Sequence, residues 1–408
     1  STLYFNSRDW SILPSSIRLK GKEIVIDSLE ATSGDQRIYA YGKTSQTAAD
    51  TLTLGLDRFD LSALAPLTGP GLDLRGIATG KVSLTSPLKT RGLLADILCD
   101  STFIAGEPLG TLTLGSVWNE EFERFDISVK NSHLGKSNLN ATAKLTPKSK
   151  MLDAALTLDS LNIKYAEPFL TDVFSEMEGY VSGDIIAEGP VNLLEIKSSG
   201  TRLDKAMLKV AFTNVPYYAD GSFHIDDTGV WFDDISIRDR YNGTGTVEGS
   251  INWSQFKDIT FDTRLKVRNI EGIDLTEKMN EDFYGNIYGT GNVSITGPVN
   301  SLVLTVDAVT AKTGQLHIPM SGAATSGGAT NLLKFKEPVK ETYIDPYEAM
   351  MARIDRKEQG KSDFLVKLRV EASPNVIAFV EIDKASGNVL SGQGNGLIEL
   401  EAGDDIFN

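Results

Sequence analysis

The sequence predicts an all-β chain in which stacked repeats build an elongated sheet. Three observations carry this. A strand motif returns three times, as Gly80-Lys-Val82-Ser-Leu84-Thr-Ser-Pro87, Gly183-Asp-Ile185-Ile-Ala187-Glu-Gly-Pro190 and Gly291-Asn-Val293-Ser-Ile295-Thr-Gly-Pro298. Its glycines lie 103 and 108 residues apart. A longer alternating strand precedes each copy. No long helical periodicity appears before residue 345, and glycine (37 residues), serine and threonine are frequent. A repeated strand unit with one apolar face buries that face by stacking on its neighbours, so it predicts length rather than a single pocket.

Each element follows from its residues. A hairpin opens the chain, Ile17-Arg-Leu19-Lys-Gly-Lys-Glu-Ile24-Val-Ile26, and recurs over Phe223–Ile235, with Lys20-Gly21 and Asp227-Thr-Gly229 supplying the turn chemistry. The alternating strands read Leu52–Leu61, Leu152–Ile163 and Ile259–Ile270. Side chains alternate between the two faces of a strand, so Thr53, Asp57, Asp153, Asp159, Asp262, Arg264, Lys266 and Arg268 are expected in water. Short helical segments are expected at the repeat junctions, over Leu61–Leu67, Pro168–Phe174 and Leu275–Phe283. Such short helices depend on packing. The motif strand follows, closed by its proline. This divides the chain into a partial repeat (1–50), repeats at 51–152, 153–261 and 262–320, an insertion (321–362) and C-terminal strands (363–408). The insertion begins with small residues, as in a linker. It then predicts a helix with Asp345 as N-cap, Pro346 at the first position, an apolar stripe of Tyr347, Met350, Met351 and Ile354, and Gly360 as terminator. Packing on the sheet is the preferred reading of that helix over contact with a partner.

The net charge of −15 argues against nucleic acid and against docking on anionic membranes. No run of about eighteen apolar residues is present to span a bilayer. No signal peptide is visible, and the chain reads as a fragment of a secreted or periplasmic protein, starting in mid-pattern and stopping just after a strand. The single cysteine, Cys99, sits in an apolar run and reads as a small core residue.

Catalytic patterns are missing. His133, His224 and His317 share no metal-ligand spacing and read as surface or satisfied positions. Gly392-Gln-Gly394-Asn-Gly396 lacks the lysine and helix of a phosphate loop, so its glycines read as a bend or a close backbone approach. The pairs Asp226-Asp227, Asp233-Asp234 and Asp404-Asp405 read as turn or strand-edge residues, and no loop fits an EF-hand. The chain is expected not to be an enzyme and to hold no cofactor and no metal.

The stretch Phe283-Tyr-Gly-Asn-Ile-Tyr-Gly-Thr-Gly-Asn-Val-Ser-Ile-Thr-Gly-Pro298, then Thr313-Gly-Gln-Leu-His-Ile-Pro319 and Asp383–Gly396, resembles the C-terminal region of the TamB family. This is the translocation and assembly module family of the AsmA-like group, here in its Bacteroidota form. The likeness extends over nearly the whole chain, but the family's N-terminal membrane anchor and its last strands lie outside the sequence. The resemblance implies a sheet folded lengthwise into an apolar-lined groove, a β-taco. It also implies a periplasmic bridge, anchored in the inner membrane, that carries phospholipid between inner and outer membrane. A link to assembly of outer-membrane β-barrel proteins with a TamA-type partner is implied as well.

The alternation itself leads to the same mechanism. An acyl chain in an apolar trough gains about 0.8 kcal/mol per CH₂ removed from water, spread over many equivalent contacts. The expected lining is Leu52, Leu54, Leu56, Val82, Leu84, Leu156, Leu158, Ile185, Ala187, Leu265, Val267, Val293 and Ile295. The same alternation also builds the core of any β-sandwich. Three readings therefore stand: a lipid conduit, a scaffold offering its sheet edge to barrel strands, and a structural stalk of sandwich domains.

Overall fold

A computed structural model describes residues 2–5, 8–20, 23–44, 50–64, 73–85, 92–171, 173–254, 257–280, 283–311, 313–319, 363–383, 388–403 and 406–407. Apart from two short 3-10 helices, these residues form strands and the turns between them. The all-β class expected from the alternation is the one observed. The chain divides into two compact units, residues 1–207 with 222–228 and residues 208–221 with 229–408.

The early strands are β1 (Thr2–Phe5), β2 (Arg8–Ile12), β3 (Ile17–Lys20), β4 (Glu23–Ser33), β5 (Gln36–Thr44), β6 (Thr51–Asp60), β7 (Leu74–Thr85) and β8 (Gly92–Ile104). They continue with β9 (Glu107–Asn119), β10 (Arg124–Ser132), β11 (Leu139–Thr146), β12 (Met151–Asn162), β13 (Phe174–Pro190), β14 (Glu195–Val210) and β15 (Val215–Asp226). The division between the units passes through β14 and β15. In the first unit each strand from β4 to β13 pairs antiparallel with the next. β2 and β3 share β4: Ser11 faces Thr32, and Ile17 faces Ile26.

The second unit holds β16 (Gly229–Arg238), β17 (Thr244–Ser254), β18 (Lys257–Leu275), β19 (Tyr284–Pro298), β20 (Ser301–Thr310) and β21 (Gly314–Pro319). After them come β22 (Asp363–Ala372), β23 (Val376–Asp383), β24 (Asn388–Gln393), β25 (Gly396–Gly403) and β26 (Ile406–Phe407). β16 to β20 are consecutive antiparallel neighbours. β19 pairs with β20 along Gly289–Thr296 and with β21 along Tyr284–Asn286, so β20 and β21 are two halves of one broken strand. β22 and β23 lie parallel to these halves, and β25 and β24 follow antiparallel. Adjacent parallel strands need a crossover of a dozen residues or more, and residues 320–362 join β21 to β22.

The repeat has a structural signature at one point. β6, β12 and β18 each slip register by a bulge, between Leu56 and Phe59, Leu158 and Leu161, and Val267 and Ile270. Arg58, Ser160 and Asn269 stand in these bulges at φ of 51°, 54° and 52°. Positive φ is uncommon outside glycine, and a bulge bends its strand. Opposite each bulge sits the motif glycine: Leu56 pairs with Gly80, Leu158 with Gly183 and Val267 with Gly291. The next strand runs so close that a Cβ on Gly80 would lie 2.2 Å from the Asp96 carbonyl oxygen, and one on Gly291 2.2 Å from that of Asp307.

At the first junction the expected helix is present over its described residues, and the other two junctions differ from expectation. The first is a 3-10 helix at Leu61–Leu64, where Asp60 Oδ1 accepts from the Ser62 N–H at 3.0 Å. The second is Ile163–Phe169 rather than Pro168–Phe174: Asn162 caps it by accepting from the Lys164 N–H, and Phe174 already begins β13. In place of a third helix, β18 keeps its ladder to Leu275 and the chain then turns, with the Met279 N–H donating to the Thr276 carbonyl at 2.9 Å. The helix expected from Asp345 to Gly360 lies outside the described residues. Gly394 falls in the break between β24 and β25, as a bend requires, but a Cβ on Gly392, Gly394 or Gly396 would meet nothing within 4 Å. No close backbone approach holds those glycines.

Candidate functional site

Register places the apolar residues of successive strands on one face. In the first unit Leu52 faces Leu84 and Leu54 faces Val82, which faces Ala95. The row runs on through Ser116, Ile127, Ala143 and Ala154 to Ala187. A neighbouring row joins Leu114, Val129, Ala141, Leu156 and Ile185. Cross-strand partners share a face, so these rows are ladders, apolar except at Ser116. The opposite face carries Lys81, Asp96, Lys144 and Asp153, the last two paired at 3.2 Å in solvent.

Exposure changes along the strands. Beyond the bulges the apolar face is sealed: Trp10, Phe59, Leu61, Ala63, Ala78 and Cys99 form one buried cluster, with Trp10 and Phe59 ring centroids 6.3 Å apart. Burial raises the Cys99 thiol pKa, and the residue is the core cysteine expected. Short of the bulges parts of the same face open, although Ala95 and Ser116 in the first row are buried. Leu54 is 48% exposed and Leu84 37%. Leu52, Leu56, Val82, Leu156, Leu158, Ile185 and Ala187 are half-buried.

The second unit is only partly open on this face, because Thr263 and Val267, both before the bulge, are buried. Leu265 faces Val293, and Ile295 faces Thr263. Leu265, Val293 and Ile295 are half-buried. Val267 holds the ladder position of Leu56 and Leu158, directly before the bulge, but is buried, so it packs rather than lines. The other face again carries charge, with Lys266 reaching Glu248 at 3.3 Å and Arg264 reaching Asp262 at 2.9 Å.

The sealed ends are tied by polar groups that periodicity does not reveal. Two residues past each bulge stands a polar side chain: Asp60, Asn162 or Glu271. Arg8 donates to Asp60 at 2.8 Å, and Asn162 donates to Glu107 at 3.3 Å, beside the Lys164–Glu107 ion pair at 2.9 Å. The Glu271 carboxylate is 1% exposed and receives both Nε and an Nη of Arg240 at 3.0 Å. Arg240 also reaches Asp274, the Tyr217 hydroxyl donates to the Glu271 carbonyl at 2.8 Å, and Asp239 accepts from the Glu271 N–H at 2.6 Å. Hydrogen bonds to Glu271 push the Arg240 pKa up, and burial pushes up both Tyr217 and Tyr288. The buried Glu271 carboxylate is paired with Arg240, and the buried Asp239 carboxylate accepts the backbone N–H groups of Tyr241, Gly243 and Glu271, as low-dielectric surroundings require. The alternating run Arg268-Asn-Ile-Glu271 gave no warning, because its glutamate pairs with a residue thirty-one positions away.

The three histidines lie apart in the sheet. His317 stacks between Tyr284 at 4.6 Å and Phe379 at 4.4 Å, on paired positions of β19, β21 and β23. Among the described residues no group of three or more His, Cys, Asp or Glu is placed to hold a metal. No helix among them is long and apolar enough to cross a membrane.

No curated protein and no solved structure matches the chain. Residues 233–404 match the family described as TamB C-terminal domain. The matched stretch runs from within β16 to the end of β25, with the Val267–Gly291 bulge and the broken parallel strands. Residues 233–404 thus carry the likeness to the TamB family.

Proposed function

We propose that this chain carries phospholipid acyl chains along the apolar face of its strands. It does so as part of a periplasmic protein that links inner and outer membrane and supports outer-membrane biogenesis. One observation supports the reading above others. The apolar face is sealed beyond the bulge of the first unit, while Leu54 and Leu84 before it are exposed and Leu52, Leu56, Leu156, Leu158 and Ile185 are half-buried. An open apolar face is unfavourable in water, and large ones mark binding surfaces. An alkyl chain lying on the ladders is held by about 0.8 kcal/mol per CH₂. Because the rows repeat from strand to strand, neighbouring positions hold it about equally, which permits sliding. The polar head stays in water, and no group in the sheet is asked to do chemistry.

Photo-crosslinkers at Leu84 and Ile185 test this in the full-length protein in cells. Recovery of phospholipid on both positions is the expected result. Labelling of nascent barrel protein without lipid would move the reading to assembly of outer-membrane β-barrel proteins with a TamA-type partner. Labelling of neither would end both.

A further inference from the structure

Two Asn-Gly pairs occur in the sequence, Asn242-Gly243 and Asn395-Gly396. Such a pair is chemically special because glycine has no Cβ to hinder attack by its backbone nitrogen on the preceding side-chain amide. Reaction requires that nitrogen to be free and the peptide to rotate. The two pairs differ sharply in burial and in the room around the glycine.

Gly243 is buried, and its N–H donates to Asp239 Oδ1 at 2.7 Å. Its carbonyl accepts from the Asp239 N–H at 3.0 Å. A Cβ built there would lie 2.4 Å from the Asn269 carbonyl oxygen, so the turn has no room to move. Asn395 lies in the break between β24 and β25, outside both ladders. It is exposed, as are Gly394 and Gly396. The space around Gly396 is open, and Gly396 is the last rung of its ladder, opposite Ala372.

We infer that Asn395 is a site of spontaneous deamidation in the folded protein and that Asn242 is not. The Gly396 nitrogen, losing its proton to water or hydroxide, bonds to the Asn395 side-chain carbonyl carbon. The bond from that carbon to the amide nitrogen breaks, and ammonia leaves. Water then opens the resulting five-membered imide at either carbonyl, giving aspartate or isoaspartate. Water is the only co-reactant, and nothing is oxidised or reduced. Both products add a negative charge. Isoaspartate also inserts the side-chain methylene into the main chain. It does so between β24, which pairs with β23, and β25, which pairs with β22. That lengthening shifts one ladder against the other.

The test is peptide mapping, with isoaspartate detection, of the full chain held at mildly alkaline pH. In native protein the peptide with residue 395 is expected to convert while that with residue 242 keeps its amide. In urea both convert. Gly396→Ala, which the open space accommodates, is expected to slow conversion at 395 several-fold without changing the fold. Comparable conversion at both positions in native protein would overturn the inference. So would an unreacted Asn395 in native protein alongside conversion of both in urea.

Discussion

Ser160 and Ser182 meet across the bend of β12: the Ser160 N–H donates to Ser182 Oγ at 2.9 Å. The same bond recurs from Arg58 to Thr79 at 3.1 Å and from Asn269 to Thr290 at 2.9 Å. In each copy the acceptor immediately precedes the motif glycine. The bulge takes its N–H out of the ladder, and the hydroxyl gives that donor a partner. Ser182→Ala is therefore expected to lower stability by about 1 kcal/mol. Gly183→Ala should cost more, about 1–3 kcal/mol, through backbone strain: Gly183 has φ of 139°, and a Cβ would lie 2.6 Å from Thr201 Cα. Urea denaturation of the two variants gives the order.

A charge on the open ladder should stop lipid passage without unfolding the sheet. Ile185→Asp and Ile295→Asp are expected to abolish lipid cross-linking, whereas Lys81→Asp, on the opposite face, should leave it intact. Val267→Asp provides the contrast. Val267 is 8% exposed, and an unpaired charge there should unfold the second unit. Lipid recovery together with circular dichroism separates the two outcomes, and equal transport by all the folded variants would end the conduit reading.

Removal of Arg240 should be far more damaging than removal of Arg264. Arg240→Ala leaves the buried Glu271 carboxylate without its charge partner, a loss of about 3–5 kcal/mol. Arg264 and Asp262 are 66% and 51% exposed, and breaking such a pair costs about 0–1 kcal/mol. Denaturant midpoints of the two variants provide the comparison.

Alkaline stability should bend above pH 10. Burial raises the phenol pKa of Tyr217 and Tyr288 above the ordinary 10.0. Below that value both phenols keep their protons whether folded or not. Above it the unfolded chain loses protons first and binds fewer than the native state, so stability falls as pH rises. The fall continues toward the raised folded values. A Tyr217→Phe, Tyr288→Phe double variant should be less stable near neutral pH, for loss of the Tyr217 bond to Glu271, yet lose less on going to high pH. Unfolding free energies at a series of pH values check the slope.

The sequence made the strands and their apolar faces legible because alternation needs no tertiary context. Leu54 and Val82, and Leu265 and Val293, were expected on one face, and register brings them opposite each other. The motif glycines marked the repeat, but the bulges did not show. Arg58, Ser160 and Asn269 share no side-chain chemistry, and only backbone position unites them. The expected lining did not separate Val267 from Leu265, since periodicity reports the face and not the depth. Nor did it reveal Glu271, whose partner comes from another strand. The second short helix was displaced by its cap, Asn162, which governs the start point more strongly than the composition of the segment.

The order of pairing has a consequence for how the polypeptide acquires its shape. From β4 to β13 every partner is the next strand in line, so each addition closes only a small loop and the array can zip up from one end as the chain emerges. Joining Ser301 to Asp363 is different, because sixty-odd residues must first be brought round. Closure entropy grows with loop length, and non-local contacts form slowly. The parallel step is therefore the kinetic bottleneck, and while it waits, β20 presents a bare edge to any passing strand.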